Sequence, residues 1–289
     1  MSTTRKMLIL FFAIVVLAIA GVGINALVHR PLTTDPKQLF DNALNQNLSE
    51  KAVTCTVATS KSGTSQTLAV QLDLAGKTNA RSVMTITTNG SSVQTEEIVV
   101  KAGDYLRYTK VVSNVKNADG KQPDFSKILN QWIKTDGKTP SQLFGLTALG
   151  GCVVPLADVS AVDRATLVSG VEKGKVYVTD YGKSTTGDLN GQPTRQYQVT
   201  IQPGPYVTYM QAVGKTYGLD NLQSINVNDY NSKTSRQAVF YVNTKTGRLV
   251  QIHFADESRV VSFSEYGKVP ELKAPTKTIT NAQASKLVQ

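Results

Sequence analysis

An unbroken uncharged run from Met7 to Val28, MLILFFAIVVLAIAGVGINALV, stands at the head of this chain, with Arg5 and Lys6 before it and His29, Arg30 and Pro31 after it. At 1.5 Å per residue, a helix of about 22 residues spans the roughly 30 Å hydrocarbon core of a bilayer. The run predicts a transmembrane anchor over 7–28, a cytoplasmic N-terminus over 1–6 and a linker over 29–34. Counting the amino terminus, positive charge is greater before the run than after it, so the N-terminus is expected inside and the remainder outside. A cleaved signal peptide is the alternative, with Ile24-Asn25-Ala26 as a loose cleavage site. The run exceeds the roughly 7 to 15 residues of a signal core, which favours the anchor. Either way, the bulk of the chain is expected outside the cytoplasm.

The composition is that of a folded domain rather than a tail: hydrophobic residues make up 40% of the chain and charged ones 18%. Residues 1–30 hold three of the 31 basic residues and no acidic ones, which leaves 28 Lys and Arg against 21 Asp and Glu. A surplus of seven favours approach to anionic headgroups or wall polymers. Nucleic acid is not expected, because the basic residues are spread singly, without a run of four or an interleaved stacking motif. Cys55 and Cys152 are the only cysteines. In an oxidising compartment they are expected to pair.

Asp35-Pro36 supplies a cap and a first-turn proline for a helix carrying Leu39, Phe40, Ala43, Leu44 and Leu48 at helical spacing. The period then changes to two. Val53, Cys55 and Val57, then Leu68, Val70, Leu72 and Leu74, alternate with polar or small residues, and Gly63, Asn89-Gly90 and Gly103-Asp104 punctuate them. Residues 51–113 therefore read as a meander of five antiparallel strands. Phe125, Ile128, Leu129, Trp132 and Ile133 fall on one face of a helix begun by Asp124, and a second helix with Leu143 and Phe144 follows Thr139-Pro140. A helical or irregular stretch over 156–170 and a helix over 205–218 are expected, with strands near 174–181, 194–202, 223–230, 235–243, 247–255 and 258–265.

Three segments carry a resemblance. Phe240-Tyr241-Val242-Asn243-Thr244-Lys245-Thr246-Gly247-Arg248-Leu249-Val250-Gln251-Ile252 resembles the penultimate hairpin of the bacterial lipoprotein-carrier superfamily, which includes outer-membrane lipoprotein chaperones and mycobacterial lipid-binding lipoproteins. Asn190-Gly191 through Tyr197 and Val199 is similar to a strand entry in that superfamily, and Phe263–Pro275 (FSEYGKVPELKAP) to its closing strand and tail. The likeness implies a carrier-like domain over 35–275, with 276–289 as a C-terminal tail. The implied fold is α+β: after the transmembrane helix, a curved antiparallel half-barrel with helices covering its concave face. That face would hold acyl chains, and Ile128, Leu129, Trp132, Ile133, Leu143 and Phe144 are its candidate lining. The competing assignment for those six residues is ordinary core. An anchored chain also departs from a carrier that must shuttle.

Catalytic patterns are absent from the sequence. There is no HExxH, CxxC, GxSxG or P-loop, and only His29 and His253 are available as imidazole bases. Adjacent strand residues point to opposite faces, so Glu96-Glu97 is not a carboxylate dyad. The sequence thus predicts a non-catalytic protein without cofactor, tethered in the bacterial cytoplasmic membrane, that binds a lipid or handles an acylated protein. The alternative is a cell-envelope scaffold with a filled interior and a basic binding surface.

Overall fold

The computed structural model describes residues 35–287 except 75–78, 115–119, 121–123, 136–151, 217 and 256–257. Helix α1 (Pro36–Asn47) starts where the Asp35 carboxylate accepts from the Gln38 amide. It leads into five ten-residue strands: β1 (Ala52–Lys61), β2 (Thr64–Asp73), β3 (Asn79–Thr88), β4 (Ser91–Val100) and β5 (Gly103–Val112). Two of the turns joining them are two-residue connections in which both residues take positive φ, at Ser62-Gly63 and Asn89-Gly90. Such turns match the right-handed twist of the strands they join.

After β6 (Ile133–Thr135) come α2 (Ala161–Lys173), β7 (Tyr177–Thr179), a 3-10 turn (Tyr181–Lys183), β8 (Thr185–Leu189) and β9 (Gln192–Ile201). Helix α3 (Pro203–Thr216) and the one-turn helices α4 (Asp220–Gln223) and α5 (Asn228–Asn231) come next. Strands β10 (Arg236–Asn243), β11 (Leu249–Phe254), β12 (Arg259–Ser264) and β13 (Ile279–Thr280) and helix α6 (Asn281–Leu287) complete the described chain. The strands join in one sheet of order β13-β6-β5-β4-β3-β2-β1-β12-β11-β10-β9-β7, with β8 beside β9. The antiparallel pairing of β1 with β12, Cys55 opposite Phe263, welds the two halves of the chain.

This sheet corrects the expected fold class. Instead of a membrane helix followed by an antiparallel half-barrel roofed by helices, the described residues form one large mixed sheet with few helices. It is mixed because β13 runs parallel to β6. That pairing, secured by the Ile279 amide on the Trp132 carbonyl, also turns part of the expected tail into sheet. Among the described residues no helix is long and apolar enough to cross a membrane. The longest, α3, has 14 residues and reaches about 21 Å, short of the hydrocarbon core. The transmembrane signal anchor and the single-pass localisation are corrected accordingly, and residues 7–28, on which they rest, lie outside the described residues.

Two local expectations also change. The helix expected from Asp124 is a set of turns ending in β6, because Asn130 takes φ 63° and its amide donates to the Tyr108 carbonyl, which breaks the helical ladder. The strand expected over 223–230 is instead occupied by α5 and the turns around it. There the Gln211 side-chain amide donates to the carbonyls of Leu222 and Ile225, tying the segment to α3 rather than to the sheet.

The core lies between the helices and the sheet. Leu39, Phe40, Ala43 and Leu44 of α1 are buried against a sheet surface that includes Phe240, Val242, Leu249 and Ile252. Burying each of the larger ones contributes about 1.5–3 kcal/mol. Phe40 meets the rings of Tyr197 at 5.0 Å and Phe240 at 5.9 Å, and the Tyr197 hydroxyl donates to the Pro36 carbonyl at 2.8 Å. Cys55 of β1 is bonded to Cys152. This disulfide fastens the buried strip Val153–Val159 under α1, where the amides of Ala157 and Val159 donate to the carbonyls of Asn47 and Leu48.

Candidate functional site: two cavities flanking helix α3

The space between α1 and the sheet is occupied by side chains: Phe40, Tyr197 and Phe240 are almost completely buried there. Room for a ligand lies instead along α3. A cavity of about 630 Å³ opens where the start of α3 and the chain after α5 face the ends of β9 and β11. Its floor is apolar, with Val153, Ile201 and Phe254 buried and Tyr206 of α3 half-buried. Cations gather at its rim. Lys233 and Arg236 are exposed, and the Arg259 guanidinium lies 5.0 Å from the Phe254 ring centre, held by the ring's quadrupole. Lys233 and Arg236 sit there because the chain leaves α5 and enters β10 at that point; Arg259 opens β12, the neighbour of β11.

Desolvation raises the Tyr206 phenol above its ordinary value, while the Arg259 cation pulls the other way. The phenol therefore stays protonated at neutral pH and serves as a neutral wall rather than a base. This cavity suits a molecule with an apolar body and a negative end. A typical ligand pocket occupies about 300–1,000 Å³, mostly apolar with a few polar groups that orient the ligand.

A second cavity, of about 430 Å³, lies on the other flank of α3, between it and α2. In its lining Asn231 sits against Gly204: a Cβ on Gly204 would lie 2.0 Å from the Asn231 side-chain oxygen.

The residues singled out from sequence as lining lie elsewhere. Ile128 and Ile133 are buried, and Ile133 belongs to β6. Leu129 is half-buried and bridges to Tyr108. Trp132 packs on a satellite cluster with Val100, Tyr105 and Leu272, under the Arg107 guanidinium 4.5 Å from its ring centre. None of these four lines either cavity along α3. Leu143 and Phe144 lie outside the described residues. His253 is half-buried in β11 with its ring 5.3 Å from that of Tyr241.

Sequence reasoning also missed a charge cluster on the sheet. Glu96 is buried, and Arg81 of β3 and Arg107 of β5 both donate to its carboxylate, with Arg81 also reaching Gln71. Burial pushes the Glu96 carboxyl up, but the hydrogen bonds and charges of the two guanidiniums prevail and hold it below the usual carboxylate range. The cluster ties β2 to β5 across the sheet.

Comparison with protein-family models and with curated proteins finds no match for this chain.

Proposed function

We propose that this protein binds an amphiphile, a fatty acid or a lipid with an anionic end, without catalysing its conversion. The observation that carries this reading is the cavity of about 630 Å³ with an apolar floor at Val153, Ile201 and Phe254 and with Lys233, Arg236 and Arg259 at its rim. Removing apolar surface from water there favours binding by about 25 cal/mol per Å², and rim cations select the sign of the end left near solvent. The resemblance of Phe240–Ile252 and its companion segments to lipoprotein carriers points the same way. The Cys55–Cys152 bond fits a protein working in an oxidising compartment.

The test is a titration of the protein with dodecanoate by displacement of a fluorescent fatty acid, beside mass spectrometry of an organic extract of protein purified from cells. Dodecanoate is expected to bind in the micromolar range. Lys233→Glu, at an exposed position, is expected to weaken it several-fold, with less effect at high salt. An empty extract together with no displacement would end this reading and favour the scaffold alternative.

A further inference from the structure

We propose that the mouth of the cavity of about 630 Å³ docks on the surface of an anionic bilayer, so that an amphiphile passes between membrane and cavity without crossing water. The proposal rests on the reading of that cavity as an amphiphile site and adds the partner with which it exchanges its ligand.

One stretch of chain, 226–237, forms the lip of the mouth as it runs through α5 into β10. Tyr230 stands on it, 38% exposed, and among the described residues is the one aromatic ring in the set of exposed large apolar side chains. Lys233 and Arg236 are exposed on the same lip. The stretch has one acidic residue, Asp229, whose carboxylate accepts from the Asn226 side-chain amide at 3.1 Å. With Arg259 at the rim, the described residues of the mouth carry three cations against that one carboxylate. A ring with a polar tip suits the boundary between headgroups and hydrocarbon. Each Lys or Arg held near anionic headgroups favours contact about fivefold. Together they give weak, reversible contact, which exchange requires.

The lip is set in place by its own backbone. The Tyr230 amide donates to the Val227 carbonyl at 2.9 Å and the Lys233 amide to the Tyr230 carbonyl at 3.1 Å. The Gln211 side chain of α3 holds the Ile225 carbonyl at 2.8 Å, which fixes the approach to this stretch against the helix that carries Tyr206. A bilayer fits the surface better than a folded protein does, because one exposed ring among dispersed cations lacks the clustered anchors of a protein interface. The cargo points the same way. An acyl chain that crosses water exposes its methylenes, each of which disfavours the step about fourfold; contact between mouth and bilayer removes that exposure.

The experiment follows an anthroyloxy-labelled fatty acid from the loaded full chain to vesicles of phosphatidylcholine, alone or mixed equally with phosphatidylglycerol. Transfer is expected to speed up in proportion to vesicle concentration, to run at least about tenfold faster to the anionic vesicles, and to slow at high salt. Lys233→Gln is expected to slow transfer about fivefold, even though its ligand is held less tightly; a loosened ligand leaving through water would transfer faster instead. Tyr230→Ser, also at an exposed position, is expected to slow transfer several-fold. Lys245→Gln removes the same charge from an exposed position at the opposite end of β10 and β11, and its rate is expected within about twofold of wild type. A rate indifferent to vesicle concentration, equal transfer to neutral and anionic vesicles, or faster transfer from Lys233→Gln would overturn the docking inference and leave the cavity reading intact. A labelled acid that never binds the chain in solution would end the cavity reading, and this inference with it.

Discussion

Replacing Cys55 and Cys152 together by alanine removes a crosslink between residues 97 apart. In the chain-entropy treatment, closing a loop of that length withdraws about 16 cal/mol/K from the unfolded chain, or about 4.7 kcal/mol at 25 °C. Both side chains are fully buried in the main core beside Val53 and Val154. Loss of the two sulfurs therefore adds a packing penalty on the order of 1 kcal/mol. The folded geometry around them has other supports. Ala157 and Val159 keep their amide bonds to Asn47 and Leu48, and the Tyr177 hydroxyl keeps its bond to the Val153 carbonyl at 2.9 Å. The loss thus acts mainly through the unfolded ensemble. Stability measured by urea unfolding is expected to fall by about 6 kcal/mol, a large share of the 5–15 kcal/mol typical of a domain. The m-value is expected to rise, because an uncrosslinked chain exposes more surface when unfolded. Wild type measured with a thiol reductant should lose most of the same amount. A loss under about 1 kcal/mol in the double variant, or an unchanged reduced wild type, would refute both the pairing and the entropic reasoning.

Two other perturbations test the sheet. Glu96 has its folded-state pKa depressed by Arg81 and Arg107. Its contribution is therefore complete above the unfolded carboxylate value near 4.5 and is lost as pH falls through the lower folded value. Glu96→Gln is expected to cost about 1–2 kcal/mol at pH 7, with half-exposed guanidiniums tempering the figure, and to flatten the acid limb of stability against pH. An acid limb identical to wild type would remove Glu96 from that role. Gly90 takes φ +79° in the β3–β4 turn, so Gly90→Val is expected to destabilise by about 1–3 kcal/mol in the same urea assay; an unchanged midpoint would mean the turn adopts another form.

Legibility followed distance along the chain. Alternation in Val53-Cys55-Val57 and Leu68-Val70-Leu72, with Asn89-Gly90 between later strands, marks the β1–β5 meander because period and turn chemistry act within a few residues. Asp35-Pro36 marks the start of α1 for the same reason, and two lone cysteines leave one intrachain pairing. The Asp124–Ile133 stretch shows the limit. Its apolar spacing suits a helix, yet a hydrogen bond to Tyr108 of β5 and the short partner β13, more than 140 residues away, make it a strand edge.

The candidate sites lay beyond that limit altogether. Tyr206, Phe254 and Arg259 come from three separate elements, and nothing in the spacing of Pro203–Thr216 shows that Tyr206 faces an open space while Tyr209 is packed in the core. Pro-Gly-Pro at the head of that segment marks where α3 begins, but not how far the helix stands from α2. Strands and turns are settled by neighbours in sequence, whereas a cavity is the volume that neighbours in space fail to fill. Here that volume depends on how α2 and α3 settle against a sheet closed by pairing β1 to β12, some 200 residues apart.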